Sequence, residues 1–356
     1  MDERRINVAI MGCGLIGAQW DVAQLSPAFS LTHAAAFSRH AQASLVAVCD
    51  PDRAKAEQAA QRWSAQHAYT DVGRMFADNA VELAVVATSS AARWQVIEPA
   101  LAAGVKVLVI EKPLAITLTE SRRLAAAIDA AAVKSVVNFS RHWDPSMREL
   151  RDAIRSGELG TIQRLVGTYG KGITNNGSHL IDLVGFLCDA EPVRARSLEG
   201  PLDAGEASWS RGEDPALDAQ VIYADQTGSE FHLTMMGTDQ NAFTCFELRV
   251  IGRQALCEMS RGGRALTLTA IEADPNYAHY RIPGTARSLP ARALEAMDHM
   301  ADEALQLALG TLQQASCDAQ SALRTALTVE AVRYSARANG AWMNVENLQP
   351  LYQGAS

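Results

Sequence analysis

Three glycines in Gly12-Cys13-Gly14-Leu15-Ile16-Gly17 have the spacing of a phosphate-binding turn, with the apolar run Asn7–Met11 before them and a stretch read as helical after them. In such a turn the first glycine permits the tight bend, the second lets backbone approach a pyrophosphate, and the third lets helix and strand pack closely. The N–H groups at the start of the helix then face the anion with a favourable dipole. Leu15 and Ile16 lie inside the turn and count with the glycines as cofactor-binding positions. Asp50 ends the next apolar run, where a carboxylate would accept bonds from ribose hydroxyls and repel a 2′-phosphate. This favours NAD, with Arg53 the residue that would admit NADP. Asp50-Pro51 also reads as a helix N-cap with proline at the first helical position. Asp50 follows Gly17 by 33 residues, against a usual spacing of about 20. Residues 19–32 therefore read as an insertion, either a lid or a packed surface loop.

The elements that must hold this turn follow from the alternation of apolar runs and Ala-rich amphipathic stretches over the first 140 residues. Short strands are expected at Asn7–Met11, Leu45–Cys49, Leu83–Thr88, Lys106–Ile110 and Ser135–Phe139. Helices are expected near Arg53–Trp63, Ala92–Ala103 and Thr119–Ala131. That pattern predicts a doubly wound parallel sheet covered on both faces. Past Trp143-Asp144-Pro145 the pattern changes to a helix, then longer alternating strands such as Phe243–Ile251, a helix over His179–Leu187, and helices near Ala291–Leu309 and Ala319–Ala338. The chain is therefore divided into a dinucleotide-binding Rossmann domain over 1–142 and an α+β domain with a mainly antiparallel sheet over 143–356. Gly200–Pro215 reads as a surface loop.

Composition bounds the rest. A chain of 356 residues suits two cores rather than one, and 48% hydrophobic residues exclude disorder as the main state. Thirty-two basic and 40 acidic residues leave a net charge of −8, which argues against nucleic-acid binding and against a polybasic membrane surface. The six cysteines form no C-x-x-C pair, so zinc ribbons are not expected, no metal is expected, and reduced thiols suit a cytoplasmic protein. Asp2 and Glu3 speak against reading the N-terminus as a signal peptide.

Glu111-Lys112-Pro113, after the fifth strand, brings a resemblance that runs through most of the chain. Together with the glycine turn, Val48-Cys49-Asp50-Pro51, Val85-Val86-Ala87-Thr88, Ala102-Ala103-Gly104, Asn138-Phe139-Ser140-Arg141-His142-Trp143 and His179-Leu180-Ile181-Asp182-Leu183, it resembles the Gfo/Idh/MocA family of sugar and cyclitol oxidoreductases. The resemblance implies a Rossmann domain followed by an open-faced α+β domain, with a sugar-like substrate held between them. It implies that Lys112 contacts the reacting hydroxyl as acid or base, that Glu111 lies beside the cofactor, and that His179 is the catalytic histidine. It also implies that the open sheet face makes a homo-oligomer, a dimer or tetramer. Many members carry an aspartate four residues before the histidine; this chain has Asn175, which can orient a hydroxyl but cannot take its proton. The family's Thr-Pro-Asn and following histidine are here Thr88-Ser89-Ser90 and Arg93. Arg141, Trp143, Tyr169 and Lys171 join Asn175 and His179 as candidate substrate contacts. The leading reading is hydride transfer between nicotinamide and a secondary alcohol or ketone of a sugar, nucleotide-sugar or cyclitol. The rivals are an NAD-retaining glycosidase or lyase, and a non-catalytic NAD-binding sensor or assembly subunit.

Overall fold

The computed structural model describes residues 4–23, 28–198, 214–238 and 245–348. The loop expected over 200–215 lies outside them except for its last two residues. The chain divides into two compact units, one of Met1–Asp144 with Leu294–Leu323, the other of Pro145–Ala293 with Arg324–Ser356.

In the first unit, β1 (Ile6–Met11), β2 (Ala43–Cys49), β3 (His67–Tyr69), β4 (Leu83–Val86), β5 (Val107–Ile110) and β6 (Lys134–Val137) form one sheet. Its order is β3-β2-β1-β4-β5-β6, and all its neighbours run parallel. Val8, Ile10, Val85, Val86, Leu108 and Ile110 have no exposed surface, as strands covered on both faces require. The strand order reverses between β1 and β4, so a crevice opens beyond their carboxyl ends, where open α/β sheets bind ligands. The helices are α1 (His33–Arg39), α2 (Arg53–Trp63), α3 (Val72–Asp78), α4 (Arg93–Ala102) and α5 (Leu118–Ala130). A capping box between Thr117 and Glu120 starts α5.

Several details differ from the sequence expectation. The cap of α2 is Asp52, whose side chain accepts from the N–H groups of Ala54 and Lys55, so Pro51 lies before the helix and not at its first position. The stretch after the glycine turn is a five-residue π-helical turn, Leu15–Gln19, followed by a 3-10 turn, Trp20–Ala23. Without a long α-helix there, backbone N–H groups rather than a macrodipole must meet an anion. The three-residue β3 and the short α3 escape the sequence pattern because neither presents a sustained apolar face.

A later helix joins this unit. In α8 (Ala296–Leu309), Ala296, Met300, Ala301, Ala304 and Leu305 belong to the Rossmann core. Helical spacing puts these residues on one apolar face. Linear order alone groups that helix with the second domain, whereas its packing places it in the first unit.

The second unit begins with α6 (Pro145–Arg155), β7 (Ile162–Tyr169) and α7 (Ser178–Cys188). Seven longer strands follow: β8 (Ala190–Ser197), β9 (Ala219–Asp225), β10 (Glu230–Gly237), β11 (Phe246–Gly252), β12 (Ala255–Ser260), β13 (Ala265–Ala273) and β14 (Arg281–Leu289). With β15 (Met343–Asn344) the order is β14-β13-β12-β11-β7-β10-β9-β8-β15. The sheet is antiparallel except where β10 runs parallel to β7. No helix among the described residues is long and apolar enough to cross a membrane.

Candidate functional site

The three glycines of the turn are needed for different reasons. Gly12 has φ +99, and a Cβ there would lie 2.7 Å from the Ala87 carbonyl carbon and 2.8 Å from the Thr88 nitrogen. A Cβ on Gly17 would overlap the carbonyl oxygen of Gly12. Both therefore serve the protein's own packing. Gly14 is different. Its backbone is extended, with φ −77 and ψ −161, and a Cβ there would meet nothing within 4 Å. The fold does not require glycine at 14, and the open space beside it leaves room for a group from outside the chain. Thr88 adds a second sign, since its hydroxyl oxygen is buried with no hydrogen-bond partner among the described residues. Both observations fit a dinucleotide lying across the ends of β1 and β4.

Asp50 ties the turn to β2. Its Oδ2 accepts from the Cys13 N–H at 2.8 Å and its Oδ1 from the Asp52 N–H at 2.9 Å. Each oxygen retains a second lone pair for a ribose hydroxyl. Arg53 is exposed and lies 3.6 Å from Glu57, so a carboxylate already shares its charge. The nearby thiols are inert. Burial, with the charges of Asp50 and Cys49, pushes Cys13 up to about 12, and burial with Asp71 and Asp50 pushes Cys49 up to about 11. Neither supplies a thiolate at neutral pH.

The insertion before α1 is packed at both described ends. Buried Asp21 accepts from the Leu31 N–H at 2.9 Å and from the Thr32 hydroxyl at 2.6 Å. Thr32 then caps α1 by accepting from the Ala35 N–H. This delivers His33, with no exposed surface, to the Glu-Lys-Pro segment.

There Nε2 of His33 donates to Oε1 of Glu111 at 2.8 Å, and Nδ2 of Asn138 donates to the same oxygen at 2.7 Å. Burial alone would raise the Glu111 pKa. The bond and charge of His33, the Asn138 bond and the Arg93 charge outweigh it and hold the carboxyl below its usual range. Arg93 is 2% exposed, and burial against the opposing pull of Glu111 lowers it only to about 10, so it is cationic at neutral pH. Its Nη2 donates to the Lys112 carbonyl at 3.3 Å. The half-buried Lys112 is thus fixed through its own carbonyl and through its neighbour, and the Lys112–Pro113 peptide is cis. Glu111 emerges as an internal anchor for this segment. His33 went unseen in the sequence, where only the capping threonine before an apolar helix marked its place. Asn138 lies in the stretch Asn138–Trp143, and nothing local in the sequence marks its bond to Glu111.

Glu111→Ala should destabilise the protein by about 3–5 kcal/mol, because it leaves the buried Arg93 charge and two donors uncompensated. Urea unfolding at neutral pH measures this, and a change below about 1 kcal/mol would show the network to be dispensable. A lowered carboxyl pKa also fixes the sign with pH. Its contribution is present above the ordinary value of 4.5 and is lost as pH falls through the folded-state value. Glu111→Gln should therefore flatten the acid side of the stability curve.

The remaining candidates separate clearly. Ser89 is exposed and Ser90 half-buried on the turn after β4. Arg141 is half-buried in the 3-10 turn Ser140–Trp143. Trp143 has no exposed surface and belongs to the core of the first unit, so it offers no face for stacking on a sugar. In the second unit Tyr169 is likewise buried, and its hydroxyl donates to the Leu217 carbonyl at 2.6 Å, which makes it a packing residue. Lys171 is exposed with φ +63. Asn175 is exposed on the π-helical turn Ile173–Gly177, and His179 is half-buried in the first turn of α7.

Residues 6–139 match the model of an oxidoreductase family with an NAD-binding Rossmann fold, GFO_IDH_MocA. The chain is 28% identical over 158 residues to the D-apiose dehydrogenase of Paraburkholderia graminis, covering 44% of this chain and 38% of that protein. It is 33% identical over 160 residues to the myo-inositol dehydrogenase Hyg17 of Streptomyces leeuwenhoekii, covering 45% and 44%. These matches span less than half the length of either relative. The apo scyllo-inositol dehydrogenase from Lactobacillus casei has the same fold, with a TM-score of 0.71 at 17% identity over 98% of this chain and 100% of that one. The parallel sheet and the glycine turn at its switch point agree with that match: over residues 6–139 the chain is similar to the oxidoreductase family with an NAD-binding Rossmann fold.

Proposed function

We propose that the protein is an NAD-dependent oxidoreductase that interconverts a secondary alcohol and a ketone on a sugar, nucleotide-sugar or cyclitol. The observation that carries this reading is the glycine turn at the point where the strand order reverses, held from β2 by Asp50 and next to the buried, unpartnered hydroxyl of Thr88. Relatives that oxidise apiose and inositol supply the substrate class.

Gly12, Gly14, Leu15, Ile16 and Gly17 would hold the pyrophosphate through backbone. Asp50 would take the adenosine ribose, and Thr88, Ser89 and Ser90 would take the far half of the dinucleotide. NAD, when bound, supplies the hydride acceptor at its nicotinamide ring. Oxidation also requires removal of the hydroxyl proton in step with hydride loss, and Lys112 is assigned that proton. His179 is a second candidate for handling a proton. Asn175 donates or accepts a hydrogen bond that orients the hydroxyl, and Arg141 and Lys171 would contact the substrate's oxygens. Asp50 at the ribose position, with Arg53 already beside Glu57, favours NAD over NADP.

A calorimetric titration with each dinucleotide tests the cofactor half of the reading. NAD should bind at least tenfold more tightly than NADP, a difference of about 1.4 kcal/mol; equal or reversed affinities would remove Asp50 from the discrimination. We extend the proposal to a cytoplasmic homo-oligomer, dimer or tetramer. Tyr277 and Tyr280, between β13 and β14, are exposed, as is Ile282 on β14, and apolar surface gathered on an edge marks contact regions.

A further inference from the structure

Asn175 leaves the turn that leads to His179 without a carboxylate of its own, yet one lies directly against that turn. Asp214 approaches from the segment preceding β9. Its Oδ1 accepts from the Thr174 N–H at 2.9 Å, and its Oδ2 accepts from the Asn175 N–H at 2.8 Å. The preceding amide is held by the next residue of the same segment, since the Ile173 N–H donates to the Pro215 carbonyl at 2.8 Å. Three successive N–H groups at the start of the turn are therefore satisfied by one dipeptide. The site is shaped for this residue. Gly172 has φ +82, and a Cβ there would overlap the Asp214 carboxylate and carbonyl. Two residues further on, the Leu217 carbonyl receives the Tyr169 hydroxyl, anchoring the same strap to the end of β7.

The turn Ile173–Gly177 runs straight into α7, because Gly177 and Ser178 both have right-handed helical backbone. Asp214 thus places a negative charge at the N-terminus of a continuous helical stretch that carries Asn175 and His179. Hydrogen bonds to a carboxylate are stronger than neutral ones, and an anion at a helix start is favoured by the exposed N–H dipoles.

We infer that Asp214 is a positioning residue for the Asn175–His179 turn, supplying from a separate segment of the chain the carboxylate that the turn itself lacks. The inference rests on the proton-handling reading of Asn175 and His179. It assigns Asp214 no contact with substrate; the side chain acts by fixing where the two polar side chains stand.

Hydrogen exchange and steady-state kinetics on the full-length Asp214→Ala and Asp214→Asn proteins test it. In Asp214→Ala the amides over 172–179 should exchange faster than in wild type, while the glycine turn and NAD affinity are unchanged. Its kcat should fall about 100-fold, the size of effect expected when a reacting group is displaced by about 1 Å. Asp214→Asn keeps one acceptor oxygen and should recover part of both losses; it also carries the test if the alanine protein does not fold. Wild-type exchange over 172–179, or unchanged kcat in a variant whose turn exchanges faster, would overturn the inference. Absence of turnover in the wild type would instead count against the proposed activity, and exchange alone would then decide whether Asp214 fixes the turn.

Discussion

Gly14→Ala is expected to abolish most NAD binding without loss of stability, whereas Gly17→Ala is expected to destabilise the fold itself. The contrast follows from what each new methyl would meet. At Gly17 it overlaps the Gly12 carbonyl oxygen, a backbone atom that cannot turn aside. Relief requires moving either the end of β1 or the helical turn, at a cost of about 1–3 kcal/mol or more. At Gly14 the backbone is already in a region open to any L-residue. The methyl meets nothing within 4 Å, and the stiffer unfolded chain would stabilise the protein by up to about 1 kcal/mol. The same methyl occupies the space assigned to the pyrophosphate. An affinity loss of at least about tenfold, 1.4 kcal/mol, should accompany an unchanged or raised melting temperature. Wild-type NAD affinity in Gly14→Ala would mean that the clear space is not the binding surface.

The second large effect is expected at Lys112. Its carbonyl is held by Arg93 and its neighbour Glu111 by His33 and Asn138. Lys112→Ala therefore removes the ammonium group while leaving the backbone in place. Loss of a positioned acid or base lowers turnover by about 100- to 10,000-fold, so kcat should fall by that factor with a much smaller change in NAD affinity. Turnover within a few-fold of wild type would take the lysine out of the proton path. A matching loss of NAD affinity would make it a cofactor ligand instead.

Much of the frame is legible in the sequence because it depends on local patterns. Continuous apolar runs of four to seven residues place five of the six Rossmann strands, and the glycine spacing marks the switch point. Asp50 is legible from its place at a strand end. The interactions that fix the site are harder to read because they join residues far apart in the chain. His33 reaches Glu111 across 78 positions, and Asp214 reaches Asn175 across 39; neither pairing leaves a periodic signal. Trp143 and Tyr169 show a related limit. An aromatic residue beside a motif suggests a binding face, but burial of the whole ring is a property of the packed core. The helix that returns to the first unit, α8, shows the same limit at the scale of a domain: its apolar stripe is visible, and the sheet it covers is not.

We propose that this chain uses NAD to oxidise a hydroxyl of a sugar or cyclitol. The direct measurement is NADH absorbance in mixtures of the purified protein, NAD and a panel of inositols, pentoses and nucleotide-sugars, with Lys112→Ala run alongside. NADH should form in step with ketone product for at least one compound, and this should be lost in the variant. Product without net NADH, or NAD binding with no turnover of any compound, would contradict it.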